Sequence, residues 1–116
     1  MQQSERDTYE NPKKSPFSYE KYDSGWEREY MDQLDEDPDI AKWTKRHNIR
    51  IPYVDDAGYR KHFEPDFLLE RVNGTKEIHE IKGSHLMNRE TELKMNAAKH
   101  FCEVRKMQFK LITRHG

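Results

Sequence analysis

Apolar positions recur at helical spacing in two stretches of this chain and alternate, or run on, in four others. Trp26, Tyr30 and Leu34 follow at four-residue steps, with Met31 widening the face. Ser24-Gly25-Trp26-Glu27 has the Ser-x-x-Glu spacing of a capping box, so the pattern predicts a helix from Ser24 to about Glu36, ended by Asp37-Pro38-Asp39. Ile40-Ala41-Lys42-Trp43 reads as a short turn of helix. Ile49, Ile51 and Tyr53 alternate with Asn48, Arg50 and Pro52, which predicts a strand with one buried face, Pro52 placing it at an edge or an end. After a turn at Asp55-Asp56-Ala57-Gly58, Tyr59 to Glu70 reads as a second strand, and after Asn73-Gly74, Lys76 to Lys82 as a third. Gly83 to Asn88 reads as a loop. Leu93, Ala97, Phe101 and Val104, with Ala98 and Cys102 beside them, predict a second helix from Arg89 to about Lys106, and Met107 to Thr113 a closing strand.

The order helix, three strands, helix, strand predicts an α/β fold. Its three strands form an antiparallel meander, and the second helix permits a parallel crossover in the same sheet, which makes the four-stranded sheet mixed. Residues 1–22 are polar, with Pro12, Pro16, Ser15 and Ser18 and no sustained period, and read as a flexible tail or arm, whose Phe17, Tyr19 and Tyr22 are free to dock onto the domain or onto a partner; residues 23–116 read as the domain.

Composition narrows the function classes. A chain of 116 residues with 37% charged side chains and a mean hydropathy of -1.26 supports one modest core. Its longest apolar runs, such as Phe67-Leu68-Leu69, are far too short to span a bilayer, and no apolar stretch of a secretory signal opens it. A lone cysteine, Cys102, excludes an internal disulfide and fits a reducing compartment, so the expected location is cytoplasmic. A net charge of -1 neither favours nor excludes nucleic acid, because binding depends on clustered cations and a metal-dependent nuclease needs acids that cancel them. Six histidines show no paired zinc spacing, and no glycine-rich phosphate loop is present.

The candidate chemistry lies in Pro65-Asp66 and Glu80-Ile81-Lys82. Two carboxylates and a lysine on consecutive strands are the parts needed to hold Mg²⁺ against a phosphodiester and activate a water. Side chains alternate along a strand, so Glu80 and Lys82 share a face while His79 and Ile81 take the other. Asp66 must join the first face. A two-residue loop at Asn73-Gly74 would pair position 66 with 81 and split the carboxylates; a three-residue loop, Val72-Asn73-Gly74 with Gly74 left-handed, pairs Asp66 with Glu80. The latter is the expectation. An ordinary amphipathic hairpin with the same three side chains on a solvated face is the plain alternative.

These motifs resemble the signature of the PD-(D/E)XK nuclease superfamily, whose restriction-endonuclease-like core runs helix, three strands, helix, strand. Ser24-Gly-Trp-Glu27-Arg-Glu-Tyr, Ile51-Pro-Tyr53, Phe63-Glu-Pro-Asp66-Phe-Leu, His79-Glu-Ile-Lys-Gly83 and Lys94-Met-Asn-Ala-Ala-Lys-His-Phe-Cys-Glu-Val-Arg105 are similar to the endonuclease domain of TnsA-like transposon proteins. The nuclease domains of type III restriction enzymes are a more distant likeness. The resemblance implies a Mg²⁺-dependent DNA endonuclease, with Mn²⁺ as a substitute, in a bacterial, phage or mobile-element setting. It implies Glu27, Asp66, Glu80 and the backbone carbonyl of Ile81 as metal ligands and Lys82 as the catalytic lysine. Glu27 has a second reading as the closing residue of the capping box.

Ser84, His85 and Lys94 are candidate substrate contacts, with a surface loop and a solvated helix face as the plain readings; Asn88 and Lys99 belong to the same two groups. Lys42, Lys45, Arg46 and Arg50 form a basic cluster suited to phosphate backbone or to solvent. The leading expectation is an endonuclease that works with a protein partner or as a homodimer in recombination, transposition or phage-type DNA processing. A non-catalytic DNA-binding or assembly module on the same fold is the alternative, and a plain α/β interaction domain a third reading.

Overall fold

The computed structural model describes residues 7–83 and 88–114. The elements run β1 (Asp7–Glu10), β2 (Tyr19–Tyr22), α1 (Gly25–Glu36), β3 (Ile40–Thr44), β4 (Ile51–Val54), β5 (Arg60–Phe63), β6 (Phe67–Arg71), β7 (Lys76–Gly83), α2 (Arg89–Val104) and β8 (Gln108–Arg114). A mixed sheet of four strands, in spatial order β3-β6-β7-β8, forms the centre. β6 lies antiparallel to β3 and β7, and β8 returns parallel to β7 through α2. Two-stranded pairs β1-β2 and β4-β5 stand apart from it. Among the described residues no helix is long and apolar enough to cross a membrane.

Alternation along the central strands divides the core in two. Phe67 and Leu69 of β6 and Trp43 of β3 meet Tyr30, Met31 and Leu34 of α1, with Ile81 and Ile112 packed against them. On the other face Ile78 meets Met95, Ala98 and Cys102 of α2 and Ile51, Tyr53 and Phe63 of the β4-β5 hairpin, with Leu68, Phe109 and Leu111 beside them. Burial of a side chain the size of Trp43 or Phe67 contributes roughly 2–3 kcal/mol. The α1 face also holds a polar core. Glu77, 2% exposed, accepts from Arg71 at 2.5 and 3.3 Å and from His79 Nε2 at 2.8 Å, and His79 Nδ1 takes the Tyr30 hydroxyl at 2.5 Å. Glu77 is held below its usual range: burial pushes its carboxyl up, and Arg71 and His79 outweigh burial. His79 is therefore a buried structural histidine on the face away from Glu80.

Several expectations need correction. Ile40–Thr44 is not a turn of helix but the first strand of the sheet. Its β-branched and aromatic residues pair with β6 through a register shift between Ile40 and Lys42, a local irregularity that masks its alternation. The strand at Ile51 lies outside that sheet and pairs with β5 alone, so the three predicted strands are not one meander. Tyr59 to Glu70 is not continuous: Pro65 lacks the N–H that a ladder needs, and the chain breaks at Glu64-Pro65-Asp66 between β5 and β6. On α2 the buried stripe is Thr91, Met95, Ala98 and Cys102, while Val104 is 64% exposed.

The tail is the largest departure. From Asp7 onward the supposed flexible arm is an antiparallel hairpin docked on the domain. Tyr22 enters the core, and the fully buried Glu20 carboxylate accepts from Ser15 at 2.5 Å, Thr44 at 2.6 Å and the Lys45 N–H at 3.1 Å. Asp35 of α1 similarly accepts from the Lys13 and Lys14 N–H groups and Trp43 Nε1. Polar composition concealed these contacts, because the burying partners are carboxylates rather than apolar side chains.

Candidate active site

The β6-β7 turn decides which carboxylates share a face. Arg71 N–H donates to Thr75 O at 2.8 Å and Gly74 N–H to Arg71 O at 2.9 Å, which leaves Val72-Asn73-Gly74 as a three-residue loop, with Gly74 at φ 92°. A left-handed φ of this kind favours glycine over any residue with a Cβ. Register then follows: Phe67 faces His79 and Leu68 faces Ile78, so one step further Asp66 faces Glu80, as expected. Glu80 shares the α2 face of β7 with Ile78, and Asp66, a bend residue just before β6, meets it where the β6-β7 ladder ends.

Side-chain contacts replace the ladder at that point. Asp66 N–H donates to Glu80 Oε1 at 2.9 Å, and Ile81 N–H donates to Asp66 Oδ2 at 2.8 Å. Lys82 Nζ stands 3.7 Å from Glu80 Oε2 on the same face. Burial pushes the Asp66 carboxyl up, opposed by the Ile81 N–H and reinforced by the charge of Glu27, with Lys45 and Lys82 pulling down. Burial and then the charge of Asp66 push Glu80 up to about 7. Two ionised carboxylates this close and this dry repel, and a bound proton or a cation relieves the repulsion.

Glu27 arrives from the N-terminus of α1. Ser24 caps the helix by accepting from Glu27 N–H at 3.2 Å, and the Glu27 carboxylate accepts from Asp23 N–H at 3.3 Å, one residue ahead of the reciprocal bond a capping box predicts. Its principal partner is Lys45, with which it forms a close ion pair; the two side chains are 12% and 15% exposed. Glu27 is thus near enough for its charge to act on Asp66 but is turned toward a lysine. Among the described residues no three acidic, histidine or cysteine side chains converge closely enough to hold a metal ion.

Lys45 is the member of this cluster that the sequence did not single out. It appears there only within a basic run, and its position depends on Ile40–Thr44 being a strand that delivers residue 45 to the carboxylates, where its Nζ also lies 5.6 Å from the Phe67 ring centroid. Lys94 is elsewhere: its Nζ sits 5.9 and 6.0 Å from the Tyr53 and Phe63 rings, against the β4-β5 hairpin. Lys99 is exposed on α2, and Asn88 caps that helix by accepting from Thr91 N–H at 2.9 Å. Ser84 and His85 lie outside the described residues.

The donor set suits a hard divalent cation. Carboxylate oxygens are the preferred ligands of Mg²⁺ and Mn²⁺, and Asp66 and Glu80 hold a proton more tightly than usual, first because burial disfavours their ionised forms. With Glu27, three carboxylates face two lysines, Lys45 and Lys82, within one cluster. In comparisons with known proteins, the family described as TnsA-like endonuclease N terminal matches residues 37–114. No curated protein and no solved structure matches the chain.

Proposed function

From the premise that this chain belongs to the TnsA-like endonuclease N-terminal family, we propose that it is a divalent-cation-dependent DNA endonuclease whose site is built on Asp66, Glu80 and Lys82. The carrying observation is the in-register pair Asp66 and Glu80, one half-buried and one buried carboxylate linked through the Asp66 N–H, whose mutual repulsion a cation would relieve. Asp66, Glu80 and the Ile81 carbonyl would hold Mg²⁺ or Mn²⁺, and Glu27 would complete the set on release from Lys45. A bound cation supplies positive charge that activates water and neutralises the phosphodiester.

The chain's own groups do the rest. Ile81 N–H fixes one oxygen of Asp66, and Asp66 N–H fixes one oxygen of Glu80, so each carboxylate is oriented by the backbone of its partner's strand. Such pre-set geometry removes reorganisation from the reactive step. Lys82, a mobile point charge on the same face, stabilises negative charge developing on the phosphate and orients the attacking water. Lys94 and the segment holding Ser84 and His85 are the proposed places for further substrate contact. Specificity for DNA structure, or specificity lent by a partner protein or a second copy, accompanies this reading, because the 116 residues present little surface of their own for reading a long sequence.

A non-catalytic DNA-binding or assembly module is the second reading, and the Glu27-Lys45 ion pair favours it, since that pair turns the third carboxylate toward a lysine, and no three such side chains converge on a metal position among the described residues. One experiment separates them. Plasmid and branched DNA are incubated with Mg²⁺ or Mn²⁺ and the wild type, Asp66→Ala, Glu80→Ala or Lys82→Ala. The expected result is nicking or cleavage by the wild type and a loss of at least about a hundredfold in each variant. Cutting that survives all three substitutions rejects the mechanism, and tight DNA binding with no cutting by the wild type favours the module.

A further inference from the structure

The β4-β5 hairpin has two unlike faces. Ile51 and Tyr53 of β4 and Phe63 of β5 point into the α2 core. The polar groups around that side are paired: Lys61 with Asp55 at 3.2 Å and with Glu90 at 2.9 Å, Tyr53 with Glu90 at 2.8 Å, and Arg89 with Asp56 at 3.1 Å. Arg50, Pro52, Val54, Arg60 and His62 alternate with the inward residues and are exposed, Arg60 lying opposite Val54 and His62 opposite Pro52. Val54 is 54% exposed and Tyr59, at the turn, 69%. Among the described residues the side chains of Arg50, Arg60 and His62 make no ion pair or hydrogen bond, although the rest of the hairpin's charges are matched except for Glu64, exposed at its base.

The hairpin is also rooted in the candidate site. β5 ends at Phe63, three residues before Asp66, and His47 Nε2 meets Pro65 O at 2.7 Å, which ties the entry of β4 to the exit of β5. The three residues from Phe63 to Asp66 span at most about 11 Å, so a duplex engaged at Asp66 and Glu80 lies within reach of the hairpin. A two-stranded ribbon fits the major groove, which is about 12 Å wide, and arginine, histidine and a methyl-bearing Val54 are suited to its phosphates, base edges and thymine methyl groups.

We propose that the β4-β5 hairpin docks in the major groove of double-stranded DNA next to the cleavage site, with Arg50, Arg60 and His62 as its contacts. The assignment rests on the reading that this chain acts on DNA. It gives the hairpin's solvent face a role in substrate positioning distinct from the carboxylate cluster.

The test is fluorescence anisotropy of a labelled duplex titrated with the whole chain in EDTA, where no cutting occurs. Arg50→Gln/Arg60→Gln is compared with Lys76→Gln/Lys106→Gln, which removes the same charge elsewhere; Lys106 lies beyond the far end of α2, roughly 25 Å along it from Arg89. The hairpin variant is expected to bind about tenfold or more weakly, with a salt slope shallower by about 2, while the control stays within about twofold of the wild type. Displacement by methyl green, which fills the major groove, is expected in the wild type. Equal losses in the two variants, no loss in the hairpin variant, or displacement only by a minor-groove ligand overturns the assignment alone. No duplex binding by the wild type overturns the DNA reading beneath it. Circular dichroism melts keep a folding defect from passing as a binding defect.

Discussion

Glu80 carries an electrostatic cost that can be measured without any substrate. Its carboxyl, 5% exposed and facing Asp66, is raised from 4.5 to about 7. An acid whose folded value lies above its unfolded value binds a proton more tightly when folded. Its contribution to stability is therefore complete below about pH 4.5 and is lost as pH rises through about 7. The cation-free protein is expected to lose on the order of 1–3 kcal/mol from this source between pH 5 and 8, because each tenfold change in proton affinity is worth about 1.4 kcal/mol. Glu80→Gln, which cannot ionise, removes that slope and is more stable than the wild type at pH 8. Urea melts in EDTA at the two pH values check this, and an unchanged slope in Glu80→Gln would sink it. The same residue scale explains why Lys45 is hard to see in the sequence: a lysine in a basic run looks solvated until a strand assignment brings it beside Glu27.

At the scale of elements, legibility followed the strength of local rules. Gly74 and the capping sequence at Ser24 are short-range devices, so the three-residue loop, the facing of Asp66 and Glu80 and the start of α1 were readable before any tertiary contact was known. β3 was not, since its register shift breaks alternation and its five residues resemble a helical turn as closely as a strand. The break at Pro65 was visible as a proline yet read as an interior residue, although it is what frees Asp66 from the ladder. The N-terminal hairpin was hidden for another reason: its anchors, Glu20 and Asp35, are buried carboxylates satisfied by hydroxyls, backbone N–H groups and the Trp43 indole. Removal of residues 1–22 leaves Thr44 and Lys45 N–H without their acceptor and uncovers the core that Tyr22 closes. The truncated chain is expected to lose several kcal/mol, enough to unfold partly or aggregate at room temperature, whereas a flexible tail would be dispensable. Thermal melts of the two forms decide between these, and an unchanged midpoint would refute the anchoring role.

Across the whole molecule, stability and the candidate site are coupled through one sheet. Its two faces are packed by separate cores, one under α1 and one under α2 and the β4-β5 hairpin, while the carboxylates sit where β6 and β7 part. Glu27 and Lys45 tie the α1 side to this point, and Glu80 shares the α2 face with Ile78. A ligand that neutralises the cluster therefore stabilises both halves, and only the folded chain assembles it. Binding of that kind raises stability by about 2.7 kcal/mol when the ligand stands a hundredfold above its dissociation constant. For a domain of this length that is roughly 10–20 °C in melting temperature. Mn²⁺ or Mg²⁺ at pH 8 is expected to give a shift of this size in the wild type against an EDTA reference of equal ionic strength. EDTA should reverse it, Asp66→Asn and Glu80→Gln should abolish most of it, and Lys82→Gln should keep it, because the lysine is assigned to phosphate and water rather than to the cation. A shift of equal size in all four proteins would mean that the cation binds elsewhere, and no shift in any would remove the basis for a metal at Asp66 and Glu80.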